Sequence, residues 1–262
     1  MKTFVSTALA AVFLVGAAST AKADLTNNGA VGLPLNPTAQ IPQPDGARVQ
    51  ANYYDLGNTA FGSFKQYGLY AAGRLADRFE INGGVERLEA PNGASGLDNT
   101  GLALGAKYLF SRETEPAGVR LAVGAGYSRA NFKNVHGYVV ASKYLGTLTE
   151  GRTPITGHLG LRYDRFSLED IGGGKSNKAS LYAGAEVPFT RDGAFQFVGE
   201  VQSKNFSSNI GSGKIPFSAS LRYRPAGQGF SVSGGVQRQG LIGEAQAFVQ
   251  LGYSFATSQA GP

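Results

Sequence analysis

Ionisable side chains in this sequence stand two residues apart, or a multiple of two, within short segments. Glu80 and Glu86 form one such set, and Arg222 and Arg224 form another. Side chains at this spacing share one face of a β-strand. Guanidinium, ammonium and carboxylate groups gathered on one face could bind charged solutes or exchange protons with a substrate. The spacing therefore predicts a charged surface built on strands.

The full set of these side chains mixes both signs, with basic residues in excess. We predict that a hydrated interior is lined by Arg48, Arg74, Glu80, Glu86, Lys107, Arg120, Lys143, His158, Arg162, Glu186, Glu200, Arg222 and Arg224. Rings of one charge sign select solutes of the opposite sign in pores. We therefore expect small anionic solutes as partners of this surface.

The elements that position these residues are twelve segments in which apolar and polar residues alternate. Between the segments lie clusters of Gly, Asn, Asp, Ser and Pro, which are typical of turns and loops. The pattern predicts strands at residues 46–56, 63–75, 77–89, 99–111, 117–129, 134–145, 153–165, 178–190, 194–204, 214–225, 229–238 and 244–256.

The opposite face of these segments is apolar, as Leu102, Leu104 and Leu161 illustrate. A charge at mid-bilayer on a lipid-exposed face costs about 2–4 kcal/mol, which explains why charges avoid it. The sequence therefore predicts an all-β fold: a closed antiparallel transmembrane β-barrel of about twelve strands, with short periplasmic turns and longer extracellular loops. A soluble periplasmic or secreted sandwich is the alternative, but Ala183 and Ala219 would pack poorly between two sheets.

The chain divides into four predicted regions. Residues 1–23 resemble a signal peptide, with Lys2, a short apolar run and the cleavage pattern Ala21-Lys22-Ala23. Residues 24–45, called the lead-in below, are rich in Asn, Pro and Gly, lack periodicity and could plug the lumen. Residues 46–256 form the barrel domain, and residues 257–262 are a C-terminal tail. We expect export through the inner membrane and location in the cell outer membrane.

Catalytic chemistry has little support in the residue pattern. The chain has no cysteine, and His158 has no evident serine partner. The pairs Arg162 with Asp164 and Glu200 with Lys204 fit charge networks better than acid–base pairs. We predict no enzymatic activity, no cofactor and no bound metal. Nucleic-acid binding is also not expected, because the formal net charge of +6 is spread out without a basic run.

From residue 24 to residue 255, the pattern resembles Gram-negative-type outer-membrane β-barrel proteins, including porins. The last strand ends in Tyr253-Ser254-Phe255, similar to the aromatic-terminated signal that the outer-membrane insertion machinery reads in that family. The resemblance implies outer-membrane lipid and that machinery as partners. Seven residues follow the aromatic here, whereas the family usually stops at it.

A second resemblance is confined to the lead-in. Gly29-Ala30-Val31-Gly32-Leu33, Asn36-Pro37-Thr38-Ala39 and Asp45-Gly46 are similar to the start of YjbH-type barrels. This likeness implies a link to exopolysaccharide export.

The predicted function is a narrow channel or solute-binding barrel that passes small anionic solutes. Two alternatives remain open at this point. One is a closed-lumen envelope assembly or interaction protein, which would fit polysaccharide export. The other is a barrel hydrolase. Barrels of eight strands are filled by side chains, and porins of sixteen strands are open. Twelve strands lie between these sizes, so strand number does not decide between a channel and a closed barrel.

Overall fold

The computed structural model describes residues 24–42, 46–59, 62–89, 99–114, 118–129, 133–147, 154–167, 174–204, 212–225, 228–240 and 243–256. The predicted signal peptide and C-terminal tail lie outside these residues. Among the described residues, no helix is long and apolar enough to cross a membrane.

The described residues form β-strands joined by turns and irregular segments. The lead-in contributes two short strands, β1 (Asp24–Leu25) and β2 (Val31–Gly32). The remaining strands are β3 (Gly46–Thr59), β4 (Gly62–Ala76), β5 (Phe79–Glu89), β6 (Asn99–Ser111), β7 (Arg120–Arg129), β8 (Lys133–Gly146), β9 (Ile155–Ser167), β10 (Lys175–Pro188), β11 (Phe195–Gln202), β12 (Phe217–Tyr223), β13 (Phe230–Arg238) and β14 (Gln246–Ala256).

Strands β3 to β14 close into one barrel of twelve strands in the described part of the chain. Each strand pairs antiparallel with its neighbour in sequence, and β14 closes the ring by pairing with β3. Closure gives every strand two partners, so the barrel has no free sheet edge. The predicted all-β, twelve-stranded antiparallel barrel is therefore confirmed.

The two faces of the barrel wall have opposite chemistry. Leu159, Leu161 and Leu181 expose 61%, 50% and 60% of their surface on the outer face of β9 and β10. The side chains between them, including His158 and Arg162, are buried on the inner face. This is the inverse of a soluble domain, which would bury leucine before arginine. The apolar surface therefore faces the lipid, and the polar surface faces inward.

Aromatic residues concentrate near both ends of the outer face. The turn end, defined as the end where β3 begins and β14 ends, carries Phe189, Phe195 and Tyr223, with ring centroids 5.9 and 4.6 Å apart along this series. At the opposite, loop end, the ring centroids of Tyr53 and Tyr67 are 5.4 Å apart. Aromatic girdles of this kind lie at the two membrane–water interfaces.

Small residues line the inner face of β6 and β7, among them Gly105, Gly124 and Gly126. Gly124 pairs across the strands with Tyr138, and Gly126 pairs with His136. A Cβ atom at Gly126 would lie 2.6 Å from the His136 ring. The glycines therefore make room for large neighbouring side chains, which fill the space.

Candidate functional site: the barrel interior

The described part of the lead-in, residues 24–42, lies against the inner face of the barrel wall. Leu25 N–H donates to Gln50 Oε1 at 2.9 Å, and Gln50 Nε2 donates back to the Leu25 carbonyl at 2.8 Å. Ala39 N–H donates to Ser142 Oγ at 2.9 Å. Leu25 and Ala39 are completely buried. Side chains of the wall thus satisfy backbone groups of the lead-in, as a neighbouring strand would.

Lys107 and Glu80 hold the middle of the lead-in together. Their Nζ and Oε2 atoms are 2.8 Å apart, and both side chains are fully buried. Val31 N–H donates to the other Glu80 oxygen at 3.0 Å, while Lys107 Nζ donates to the Val31 carbonyl at 2.9 Å. A buried charge pair needs additional hydrogen bonds to offset its desolvation. The backbone of Val31 supplies two of them.

Glu200 binds the next part of the lead-in on the opposite wall. Its carboxylate accepts from Leu35 N–H at 2.6 Å, from Asn36 Nδ2 at 2.9 Å and from Ser218 Oγ at 2.8 Å. These contacts contradict the predicted pairing of Glu200 with Lys204. Lys204 lies beyond the end of β11 and is exposed, whereas Glu200 points into the barrel.

The local conformation of the lead-in depends on Gly32. A Cβ atom there would lie 2.5 Å from the Asn36 carbonyl oxygen and 2.7 Å from Pro37 Cα. Leu33 N–H donates to the same Asn36 carbonyl at 2.9 Å, and Gly32 bridges to Pro37. Leu33 is fully buried and packs onto Gly184 of the wall, where a side chain would collide with it. This close packing therefore requires glycine both at Gly32 of the lead-in and at Gly184 of the wall.

Asp24, the first residue described, occupies the most strongly basic part of the interior. Its carboxylate forms ion pairs with Arg48 on β3 and Arg222 on β12. The hydroxyl groups of Ser231 and Ser233, on β13, donate to it at 3.0 and 2.9 Å. These five residues are called the Asp24 site. All of them are buried, and they lie near the turn end of their strands.

Most predicted lumen residues point inward and are buried. These are Arg48, Glu80, Glu86, Lys107, His158, Arg162, Glu186, Glu200 and Arg222. Arg74, Arg120 and Arg224 are partly buried at the turn end of the wall.

Lys143 was predicted to point inward, but it is exposed on the outer face. The inner phase of β8 is set by Tyr138, Val140 and Ser142, so the next residue points outward. Val139, Val140 and neighbouring residues are apolar on both faces, and alternation therefore could not reveal the phase of this strand from sequence. Near the end of β8, a lysine can extend its ammonium group toward water.

Several oppositely charged side chains form pairs inside the barrel. Arg162 donates through Nε and Nη2 to Asp164 at 2.8 to 2.9 Å, which is the network role predicted for this pair. Arg222 Nη1 lies 2.7 Å from Glu186. Arg48 pairs with Asp24 of the lead-in, its ionic partner among the described residues.

Sequence reasoning missed Ser142 as a partner of His158. Ser142 Oγ lies 2.8 Å from His158 Nδ1, and His158 Nε2 lies 3.3 Å from Glu186. The two positions occupy directly paired residues of β8 and β9, so correct strand pairing would have found them. A Ser–His–Glu row is also used by hydrolases. Here, however, the serine oxygen already accepts the Ala39 N–H and is covered by the lead-in.

A cavity of about 570 Å³ opens at the turn end of the barrel below the lead-in. Its lining includes Gln40, Ile41, Arg120 and Arg224. At its rim, Arg112 hydrogen-bonds to Asp77 at 3.2 Å, and this contact, with the positive charge of Arg112, lowers the pKa of the Asp77 carboxyl. Residues 39–42 of the lead-in form one side of this cavity. Among the described residues, no cluster of three or more His, Cys, Asp or Glu side chains could hold a metal ion.

Comparison with known proteins identifies the fold. No family model matches the chain, and no curated protein matches it. The solved structure of KdgM porin superposes with a TM-score of 0.54 at 14% identity, covering 80% of this chain and 99% of that one. KdgM porin in complex with disordered oligogalacturonate gives 0.51 at 13% identity, covering 81% and 99%. An outer membrane channel from Pseudomonas putida F1 gives 0.50 at 12% identity, covering 84% and 100%.

At these identities the likeness concerns the fold. The chain has the barrel fold of outer-membrane porins, and the apolar belt and aromatic girdles described above agree with that class.

Proposed function

We propose that this protein is an outer-membrane channel for small anionic solutes, non-enzymatic, whose lumen is occupied at rest by the lead-in. The observation that carries the proposal is the Asp24 site: the interior holds one carboxylate between two guanidinium groups. Guanidinium groups bind carboxylates through charge-assisted hydrogen bonds. The two guanidinium groups that hold Asp24 would also attract soluble carboxylates.

The similar fold of KdgM supports this proposal, because that porin was solved in complex with oligogalacturonate, an acidic sugar polymer. The position of the lead-in outside the ring of paired strands also supports the proposal. Residues 24–42 are not part of the closed ring, so their departure would leave a lumen without breaking any pairing between β3 and β14.

One observation favours a second candidate, a closed-lumen envelope protein that acts through binding partners. Leu25, Leu33 and Ala39 of the lead-in are completely buried in the barrel. A segment with this many buried contacts could seal the barrel permanently. Such a protein would show no conductance, even when the lead-in is disrupted.

The test is single-channel recording in planar lipid bilayers with wild type and Gly32→Val. Valine would collide with Asn36 and Pro37, so it disrupts the lead-in and leaves the wall intact. We expect rare or brief conductance steps for wild type and frequent steps for Gly32→Val. The matched control is Gly73→Val, because a Cβ atom at Gly73 meets nothing within 4 Å. Absence of steps in every variant would remove the channel proposal and leave the closed-lumen candidate.

A further inference from the structure

We propose that Arg48, Arg222, Ser231 and Ser233 form a carboxylate-binding site that Asp24 occupies as an internal ligand, and that carboxylate-bearing solutes release the lead-in by displacing Asp24. The inference rests on the proposed function, and it adds the ligand class and the means of opening.

The first argument is the composition of the site. Two guanidinium groups and two hydroxyl groups, from three different wall strands, converge on one carboxylate. All four wall residues are nearly fully buried. Arg222 is paired directly with Ser233, and Arg48 is hydrogen-bonded to Ser254 at 2.9 Å. The wall therefore holds these donors in place by itself, and the site persists when Asp24 leaves.

The second argument is charge balance. Arg222 retains Glu186 at 2.7 Å when Asp24 leaves, whereas Arg48 loses the ionic partner that the described residues give it. A buried arginine without a counter-ion is strongly destabilising. An empty site is therefore costly, so Asp24 leaves readily only in exchange for another anion. Arg48 Nε is also buried without a hydrogen-bond partner among the described residues, which leaves one donor for an incoming ligand.

The third argument is access. The Asp24 site lies near the turn end, and Arg224, which lines the open cavity there, donates to Gln196 at 3.4 Å. Gln196 also contacts Arg222 at 3.3 Å. A solute in the cavity is therefore separated from Arg222 by one layer of side chains. A sugar acid such as galacturonate fits the chemistry, because it combines one carboxylate with hydroxyl groups that can hydrogen-bond to serine.

The experiment measures exposure of the lead-in in the folded, full-length chain. The sequence has no cysteine, so Ala30→Cys introduces a single thiol at a position that is 4% exposed. Its reaction with methyl methanethiosulfonate is followed by mass spectrometry, with sodium galacturonate or with galactose plus an equal concentration of sodium chloride. Arg191→Cys, exposed at a turn, serves as the control for reagent activity.

We expect galacturonate to accelerate labelling of Ala30→Cys about tenfold, because a ligand shifts the population toward the state that it binds. Galactose with salt should have no effect. In Asp24→Asn/Ala30→Cys, labelling should be fast without any solute. In Arg48→Gln/Ala30→Cys, galacturonate should no longer change the rate.

Equal labelling in galacturonate and galactose would overturn the inference, as would a galacturonate effect that survives Arg48→Gln. Neither outcome depends on conductance. If Gly32→Val conducts while galacturonate fails to accelerate labelling, the channel stands and the release mechanism falls. If galacturonate accelerates labelling while Gly32→Val does not conduct, the carboxylate site stands and the channel falls.

Discussion

At the scale of single residues, the interior is a set of buried charges that each depend on a specific partner. Glu80 and Lys107 show this most clearly, since both are fully buried and both also bind the backbone of Val31. The pair connects β5 to β6 and connects the lead-in to both. The Glu80–Lys107 pair therefore stabilises both the wall and the position of the lead-in.

Replacing Glu80 by Gln should leave the Lys107 ammonium without a counter-ion. We expect the folded barrel to lose about 3–5 kcal/mol of stability, because removing one partner of a buried pair leaves an uncompensated charge. The measurement is the temperature at which the barrel loses its compact migration on a denaturing gel. The double variant Glu80→Gln/Lys107→Met should recover most of the loss. If the double variant loses more stability than the two single variants lose together, this account is contradicted.

At the scale of elements, alternation along the strands was sufficient to predict the wall. The predicted segments match β3 to β14 closely. Where one face of a strand is apolar, only one assignment of alternate residues places all the apolar side chains on that face. β12 is the main exception: it was predicted at residues 214–225, but it covers Phe217–Tyr223. Pro216 precedes the strand, since proline lacks the N–H that a ladder needs.

The phase of a strand could be predicted only where its two faces differ. The prediction that Lys143 points inward was wrong for this reason, because Lys143 follows a stretch of β8 that is apolar on both faces. The lead-in could not be positioned either, because its contacts with Gln50, Glu80 and Ser142 join residues far apart in sequence. The Ser142–His158 contact required strand pairing, which alternation alone does not provide. Local patterns therefore gave the wall, while the site depended on long-range contacts.

Leu161→Arg tests the outer face at mid-strand. Leu161 lies between Val139 and Leu181, which are both exposed and apolar. A cation there should lower barrel stability by about 2–4 kcal/mol, because it faces the hydrocarbon core. The measurement is the folded fraction after insertion into lipid vesicles. The control is Tyr163→Arg, one step closer to the natural Arg165, where the cost should be smaller. Equal losses at both positions would contradict the depth assignment.

At the scale of the whole molecule, the charge of the interior depends on whether the lead-in is present. With the lead-in in place, Asp24 offsets Arg48 and Arg222. When it leaves, the wall regains a positive region near the turn end, close to Arg224. Net selectivity is therefore expected to be a property of the opened barrel.

Reversal potentials in a salt gradient test this expectation in the Gly32→Val background. We expect a preference for anions, which Arg48→Gln with Arg222→Gln should shift toward cations because the basic region is lost. Lys143→Gln provides the matched control, since that lysine is on the outer face. A shift caused by Lys143→Gln, or none caused by the arginine changes, would contradict the assignment of faces.

The pairing of β14 with β3 also has a consequence for how the protein is made. A ring of hydrogen-bonded strands cannot admit a segment from the side once it has closed. The lead-in precedes β3 in the chain, so it either enters before the last strand meets the first or passes later through the mouth beside Gly46. The order of these two events during biogenesis decides whether a new molecule enters the membrane sealed or leaking.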